Sequence, residues 1–190
     1  MSKKIGVLAL QGDFEAHQRM LNKLSIENIA VRKAEQLEDL NGLIIPGGES
    51  TTLIKLLHAF DLADPIKEFY KMGKGFFGTC AGSILLAKEI ENSDQFRFGF
   101  IDITVERNGY GRQVDSFEDD IHAKEFGKRP IHAIFIRAPK ITACGKSVSV
   151  LAEKDNSILI AKEKNVLVST FHPELTDDTR LHSYFIDKCI

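Results

Sequence analysis

The sequence predicts an α/β fold. It is read as a single domain over residues 1–190, with a mostly parallel central sheet flanked by helices and antiparallel additions in its second half. Three observations carry this expectation. Residues 5–10 and 42–45 are short, continuous apolar runs, the pattern of strands buried on both faces in a parallel sheet. Stretches of helical period alternate with such runs as far as Lys88. Beyond that point the pattern changes: Ile101, Ile103 and Val105 alternate with Asp102, Thr104 and Glu106, so one face is wet, and the later strand candidates are closely spaced, as in hairpins.

Taken in order, the first apolar run ends at Gln11-Gly12, and Asp13 stands where it can cap a helix whose stripe is Phe14, Leu21 and Leu24. Residues 29–31 form a second, weaker strand, and residues 42–45 a third, cut by Pro46-Gly47-Gly48. Ser50 is expected to cap a helix covering Leu53, Ile54 and Leu57, and Pro65 to open another that reaches Met72. Residues 75–79 form an apolar strand that passes through a small-residue turn into an Ala/Leu-rich helix. Asn108-Gly109-Tyr110-Gly111 is a turn cluster, and residues 113–128, polar and without a clear period, read as a loop. Residues 131–136, 147–151, 157–161 and 165–170 read as strands. The last helix is expected over residues 178–189, with Leu181, Tyr184, Phe185 and Cys189 on one face. No internal repeat, low-complexity segment or linker divides the chain.

Composition narrows the function classes. An apolar content of 43% beside a charged content of 27% is that of an ordinary globular protein. The formal net charge is −2 and no long block of like charge exists, which argues against a nucleic-acid surface. The apolar run after the basic start Met1-Ser2-Lys3-Lys4 is too short for a signal sequence, and no segment reaches membrane-spanning length. The three cysteines, Cys80, Cys144 and Cys189, are widely spaced, and none has zinc-ligand spacing with another Cys or His. Free thiols in a reducing cytoplasm, with no metal, are therefore expected.

The stretch Gly78-Thr79-Cys80-Ala81-Gly82 reads G-x-C-x-G, a nucleophile elbow with cysteine in place of serine. A side chain held at a sharp strand-to-helix turn needs small neighbours so that the chain can close. The helix after the turn directs its first free N–H groups toward whatever the sulfur attacks and favours the thiolate form. A lone buried cysteine would instead read as structural; here the strand before, the helix after and both glycines all fit the elbow.

A nucleophilic thiol needs a base, and the base an orienter. Pro173 holds the chain at His172 extended, so His172 and Glu174, two residues apart, project to one side. Glu174 can accept one imidazole N–H while the other ring nitrogen faces Cys80. The remaining histidines, His17, His58, His122, His132 and His182, have no acidic neighbour in so telling a place; His58 and His182, within helical patterns, read as surface or packing residues. Pro46-Gly47-Gly48-Glu49-Ser50 comes after a buried strand and precedes a helix, so its backbone N–H groups can approach a developing oxyanion, though Pro-Gly-Gly is also a plain turn sequence.

Together these residues resemble a class I (triad) glutamine amidotransferase, which implies the flavodoxin-like fold of that class. Further motifs narrow the resemblance to the family of glutaminase subunits of pyridoxal 5'-phosphate synthase. They are Leu10-Gln11-Gly12, Pro46 to Thr52, Glu106-Arg107-Asn108 with Gly111-Arg112-Gln113-Val114-Asp115-Ser116-Phe117-Glu118, Phe135-Ile136-Arg137-Ala138-Pro139, and His172 to Thr176. The resemblance implies Cys80 as nucleophile, His172 as base and Glu174 as its orienter. It implies Gly47 and Gly48 as the oxyanion region, and Glu49, Ser50, Arg107, Ile136 and Arg137 as the residues that hold L-glutamine. It also implies no cofactor, a separate synthase subunit as partner and recipient of the ammonia, and weak activity until that subunit docks. Gly47-Gly48 is a place where a peptide can turn over at low steric cost on docking. A glutaminase subunit of another biosynthetic amidotransferase, a different elbow-cysteine hydrolase and a non-catalytic regulatory partner remain as alternatives at this point.

Overall fold

The structure is a computed structural model that describes residues 3–110 and 116–190. Strand β1 (Lys4–Leu8) leads through helix α1 (Phe14–Lys23) to β2 (Glu27–Val31), and the chain then returns to β3 (Gly42–Ile45) on the other side of β1. Helices α2 (Ser50–Ala59) and α3 (Ala63–Lys71) carry it to β4 (Gly75–Thr79), and α4 (Ala81–Leu86) carries it to β5 (Ala87–Ile90). The rest is largely β: β6 (Ile101–Glu106), β7 (Ser116–Ile121), β8 (Ile131–Ile136), β9 (Lys140–Cys144), β10 (Ser149–Lys154), β11 (Ser157–Glu163) and β12 (Val166–Ser169), closed by α5 (Arg180–Lys188).

The main sheet runs in the order β2-β1-β3-β4-β12-β11-β9-β6-β5, with β10 paired to β11. From β2 to β12 every pairing is parallel. The strand β11 then turns the sheet antiparallel through β9 to β6, β5 pairs parallel with β6 at the far edge, and β7 and β8 form a separate two-stranded ribbon. The expected α/β architecture with antiparallel additions is the one found. Both faces of the parallel half are covered. Leu43, Ile45, Phe76 and Val168 face one core with Leu53 and Leu57 of α2 and Ile66 and Phe69 of α3. Their chain neighbours Ile44, Phe77 and Leu167 face the opposite core with Leu21 of α1 and Leu181 and Phe185 of α5. This alternation explains why these strands read as unbroken apolar runs.

The order β2-β1-β3 reverses the direction of winding at β1, and the carboxyl ends of β1, β3, β4 and β12 open on one edge there. That edge is where ligands sit in open α/β sheets.

Several local expectations need correction. Residues 116–121 are not loop but β7, paired in register with β8 from Ser116↔Ile136 to Ile121↔Ile131. Its Glu118, Asp119 and Asp120 hide the strand signal because most of this ribbon strand is open to solvent. Positions 113–115 lie outside the described residues. The elbow helix stops at Leu86, and Ala87 and Ile90 turn inward from β5 while Lys88 and Glu89 stay exposed. Strand β9 was not anticipated, and β1 ends at Leu8 rather than residue 10. Ser50 is the first helical residue of α2, and the cap is Glu49, whose carboxylate accepts the Thr52 N–H at 2.7 Å. Asp13 occupies the cap position of α1 but makes no side-chain capping bond, and Pro65 is the third residue of α3 rather than its first.

Gly82 is fixed by close approach. A Cβ there would lie 2.0 Å from the Ile45 carbonyl oxygen, so α4 could not sit against the end of β3. Gly82→Ala is expected to cost about 1–3 kcal/mol, as overpacking of a filled core does. In thermal unfolding this lowers Tm by about 2–4 °C per kcal/mol for a chain of this size. An unchanged Tm would contradict the packing described.

Candidate active site

Four strand ends build one cleft. The chain leaving β4 turns at Cys80, whose backbone has φ 48° and ψ −109°, a conformation that strains a non-glycine residue and marks a nucleophile elbow. The Cys80 N–H donates to the Ser169 carbonyl at 2.9 Å, tying the elbow to the end of β12. Two residues past that carbonyl comes Phe171, fully buried, and then His172, whose N–H donates to the Ile134 carbonyl of β8 at 2.9 Å. The ribbon thus holds His172 in place from the other side.

The cleft is lined by Gly48, Glu49, Ser50, Cys80, Arg107, Ile136, Arg137 and His172, all of them site candidates from the sequence. Gly47 closes in behind: a Cβ there would come within 2.4 Å of His172 Cε1 and 3.2 Å of Cys80 Cβ, so only glycine lets the three stand together. Glu174 lies deeper, on a 3-10 turn over Pro173–Leu175, and every candidate from the sequence is therefore brought into this one region. Cys80 is 5% exposed, yet it forms part of the cleft wall rather than the interior.

The electrostatics are set by the contacts. His172 Nδ1 and Glu174 Oε1 are 2.8 Å apart and both groups are buried. Burial works against the imidazolium, but hydrogen bonds to Cys80 and Glu174 outweigh it, and His172 is pushed up to about 10. The Cys80 sulfur also lies 3.8 Å from the Ile136 carbonyl. Burial alone would raise the Glu49 carboxyl, but hydrogen bonds from Thr51 and Thr52 hold it down to about 2, so it faces the cleft as a fixed negative charge. Arg107 is held by Gln95 at 2.8 Å and stands 3.7 Å from Glu49. The arrangement can generate a thiolate–imidazolium pair, hold a carbonyl substrate above it and donate a proton to a leaving group. Asp13, His172 and Glu174 also offer ligand atoms within 4.8 Å of one another.

A scan of protein families matches residues 7–190 to the model described as the SNO glutamine amidotransferase family. The chain belongs to the SNO glutamine amidotransferase family. Within it, the protein of Carboxydothermus hydrogenoformans named pyridoxal 5'-phosphate synthase subunit PdxT is 56% identical over 185 residues, 97% of each chain. The one of the same name from Thermotoga maritima is 52% identical over 97% of this chain and 98% of its own. A solved structure described as a glutamine amidotransferase superposes with a TM-score of 0.91 at 47% identity, covering 97% of this chain and 98% of that one. PurLQS from Thermotoga maritima, at 16% identity and a TM-score of 0.73 over 98% of this chain and 99% of that one, shares the fold.

This SNO-family site also contains residues that sequence reasoning gave no role. Gln11, at the end of the first apolar run, accepts the Glu49 N–H at 3.0 Å and packs where a Cβ on Gly48 would fall. His17 and His182, set aside for lack of an acidic neighbour, are fully buried and 2.9 Å apart, and His17 lies 3.5 Å from Glu174. That carboxylate is 157 positions away along the chain, so no local pattern in the sequence could reveal the contact. His132, also set aside, contacts Glu118 and Asp120 at 3.0 Å each across the exposed ribbon.

Burial and then the nearby His182 and His172 pull His17 well below the ordinary histidine value, and burial pulls His182 down to about 3. Both are neutral in the fold and take up protons only when the chain unfolds. Stability is therefore expected to be intact above the ordinary value of 6.5 and to fall as pH drops through 6 and 5. The slope tends toward about 1.4 kcal/mol per pH unit for each histidine. Urea unfolding at pH 7, 6 and 5 measures it, and equal stability at all three would refute the neutral assignment.

Proposed function

We propose that this chain is the glutaminase subunit of a pyridoxal 5'-phosphate synthase. It hydrolyses L-glutamine to L-glutamate and ammonia and passes the ammonia to a separate synthase subunit. The observation that carries the chemistry is His172, held between the elbow cysteine and a buried carboxylate at the mouth of a cleft with fixed charges of both signs. The pathway rests on the relatives of 50–56% identity that bear that subunit's name over nearly their whole length. They favour this role over a glutaminase serving another pathway. Residues 1–190 act as one glutamine amidotransferase domain.

In this reading Arg107 and Arg137 meet the α-carboxylate of glutamine, and Glu49 meets its α-ammonium. Ser50 and Ile136 border the substrate, and the side-chain amide lies over Cys80. The thiolate attacks the amide carbon, forming a C–S bond as the carbonyl π electrons move to oxygen. Backbone N–H groups around Gly47, Gly48 and the elbow stabilise that oxyanion. As it collapses the C–N bond breaks, and His172 gives its proton to the departing nitrogen, so ammonia leaves and a thioester remains. Neutral His172 then takes a proton from water, whose oxygen attacks the thioester. The second tetrahedral intermediate collapses, its C–S bond breaks, glutamate departs, and the thiolate–imidazolium pair is restored. Glu174 keeps its charge throughout, holding the ring and stabilising the imidazolium. The steps use side chains, backbone and water, and call for no metal or organic cofactor.

Among the described residues no helix is long and apolar enough to cross a membrane. Together with three unpaired cysteines, this supports a cytoplasmic site of action. Gly48 sits at φ 143°, backbone that L side chains rarely adopt, and this freedom suits a peptide that turns when the partner docks.

Ammonia release from glutamine is expected to rise when the synthase subunit is added, and equal rates with and without it would remove docking-dependent activation. Cys80→Ala should lower the rate at least about a thousandfold while leaving assembly with the synthase subunit intact. A Cys80→Ala protein that still supports glutamine-dependent synthesis would refute the mechanism.

A further inference from the structure

The triad mechanism leaves two buried histidines unused. Glu174 spends one oxygen on His172; its other oxygen, Oε2, is buried and makes no hydrogen bond among the described residues. His17 of α1 reaches toward it, with Nε2 3.5 Å from Oε2 and 3.2 Å from the hydroxyl of Thr79, the residue before the nucleophile. On the far side of that ring, Nδ1 is 2.9 Å from His182 Nε2 of α5. Both rings are edge-on to Phe77, so an apolar wall closes the group.

Hydrogen-bond counting selects one tautomer. If His17 carried its proton on Nδ1, its Nε2 lone pair could accept from the Thr79 hydroxyl but would also stand 3.5 Å from the Glu174 carboxylate, acceptor against acceptor. His182 would then have to accept at Nε2 and carry its own proton on Nδ1, which is buried and has no partner. A buried donor without an acceptor costs about 1–3 kcal/mol. With the proton on Nε2 of both rings, His182 donates to His17, His17 donates to the Thr79 hydroxyl with Glu174 Oε2 beside it at 3.5 Å, and the ring atom left without a partner, His182 Nδ1, is a lone pair rather than a donor.

We propose that His17 is a positioning residue for the triad: its neutral ring, held in the Nε2–H form by His182, presents a donor to the second oxygen of Glu174 and fixes the carboxylate so that Oε1 faces His172. A neutral donor suits this place. A cation there would draw on the charge that Glu174 must offer the imidazolium, and an apolar side chain would remove the N–H dipole that stands 3.5 Å from a buried carboxylate oxygen. The depressed proton affinities of both rings agree with this neutrality. The inference rests on the triad reading of Cys80, His172 and Glu174.

The test is kinetic and spectroscopic. With the full chain and the synthase subunit present, His17→Leu is expected to lower kcat for glutamine by about 10–100-fold, as loss of an outer partner of a catalytic group does. KM should change less than about threefold, because His17 lies outside the cleft lining. His17→Gln, whose amide N–H can stand where Nε2–H stood, should recover most of that loss. Both variants with parental kcat, or a glutamine variant as impaired as the leucine one, would overturn the proposal. Nitrogen-15 NMR of histidine-labelled parent protein reads the tautomer directly, whether or not the variants fold. A neutral His17 carrying its proton on Nε2 supports the proposal, and one carrying it on Nδ1 overturns it. A parent protein that releases no ammonia with its partner would count against the functional reading alone, and the NMR tautomer would still decide the positioning role.

Discussion

The parallel registration of β4 between β3 and β12 is the constraint on which this molecule depends. Ile45 stands opposite Gly78, and Ser169 opposite Thr79, so all three strands end within one residue of one another at the sheet edge. The turn at the end of each strand is then fixed in space: the glycine pair after Ile45, the strained elbow after Thr79, and the His172 turn after Ser169. A slip of one residue in any of these pairings would reverse the faces of that strand, turning Ile44 or Phe77 toward the wrong core. The burial of both sheet faces therefore holds the site together more firmly than any contact within it.

At that edge the backbone comes too close for ordinary side chains. Gly12 lies with its Cα against the Gly47 carbonyl, Gly47 against His172 and Cys80, and Gly82 against Ile45. The glycines are places where chain meets chain, and they bring a thiol, a ring and two loop peptides within reaction distance. Proximity of this kind is one part of what a hydrolase of this type must supply, beside the donors that hold the oxyanion, since the reacting groups themselves are common side chains.

Burial sets the charge states in opposite directions at adjacent rings. His172, flanked by sulfur and carboxylate, is stabilised as a cation; His17 and His182, fully buried and walled by Phe77, are held neutral. The same Glu174 faces both environments, one oxygen to each. One carboxylate thus meets a charged partner at the cleft and an uncharged one in the interior.

The sequence by itself determined the parallel half of the fold, because strands buried on both faces leave an unbroken apolar signature, as in Gly42–Ile45 and Gly75–Thr79. It also pointed to Cys80, His172 and Glu174 as the candidate site, because an elbow and a His-x-Glu turn are local patterns, with chain neighbours recording the geometry that each side chain needs. Only the tertiary structure decided the rest. Strand β7 carries Glu118, Asp119 and Asp120 and is a strand because β8 pairs with it, a long-range hydrogen-bond ladder that overrides local propensity. Glu49 took the capping role assigned to Ser50, since the turn geometry aimed its carboxylate at Thr52. His17 and His182 carried no signal of function at all. Their contact comes from α1 and α5 packing on the same face of the sheet, which sets His182 against His17 and His17 beside one buried carboxylate.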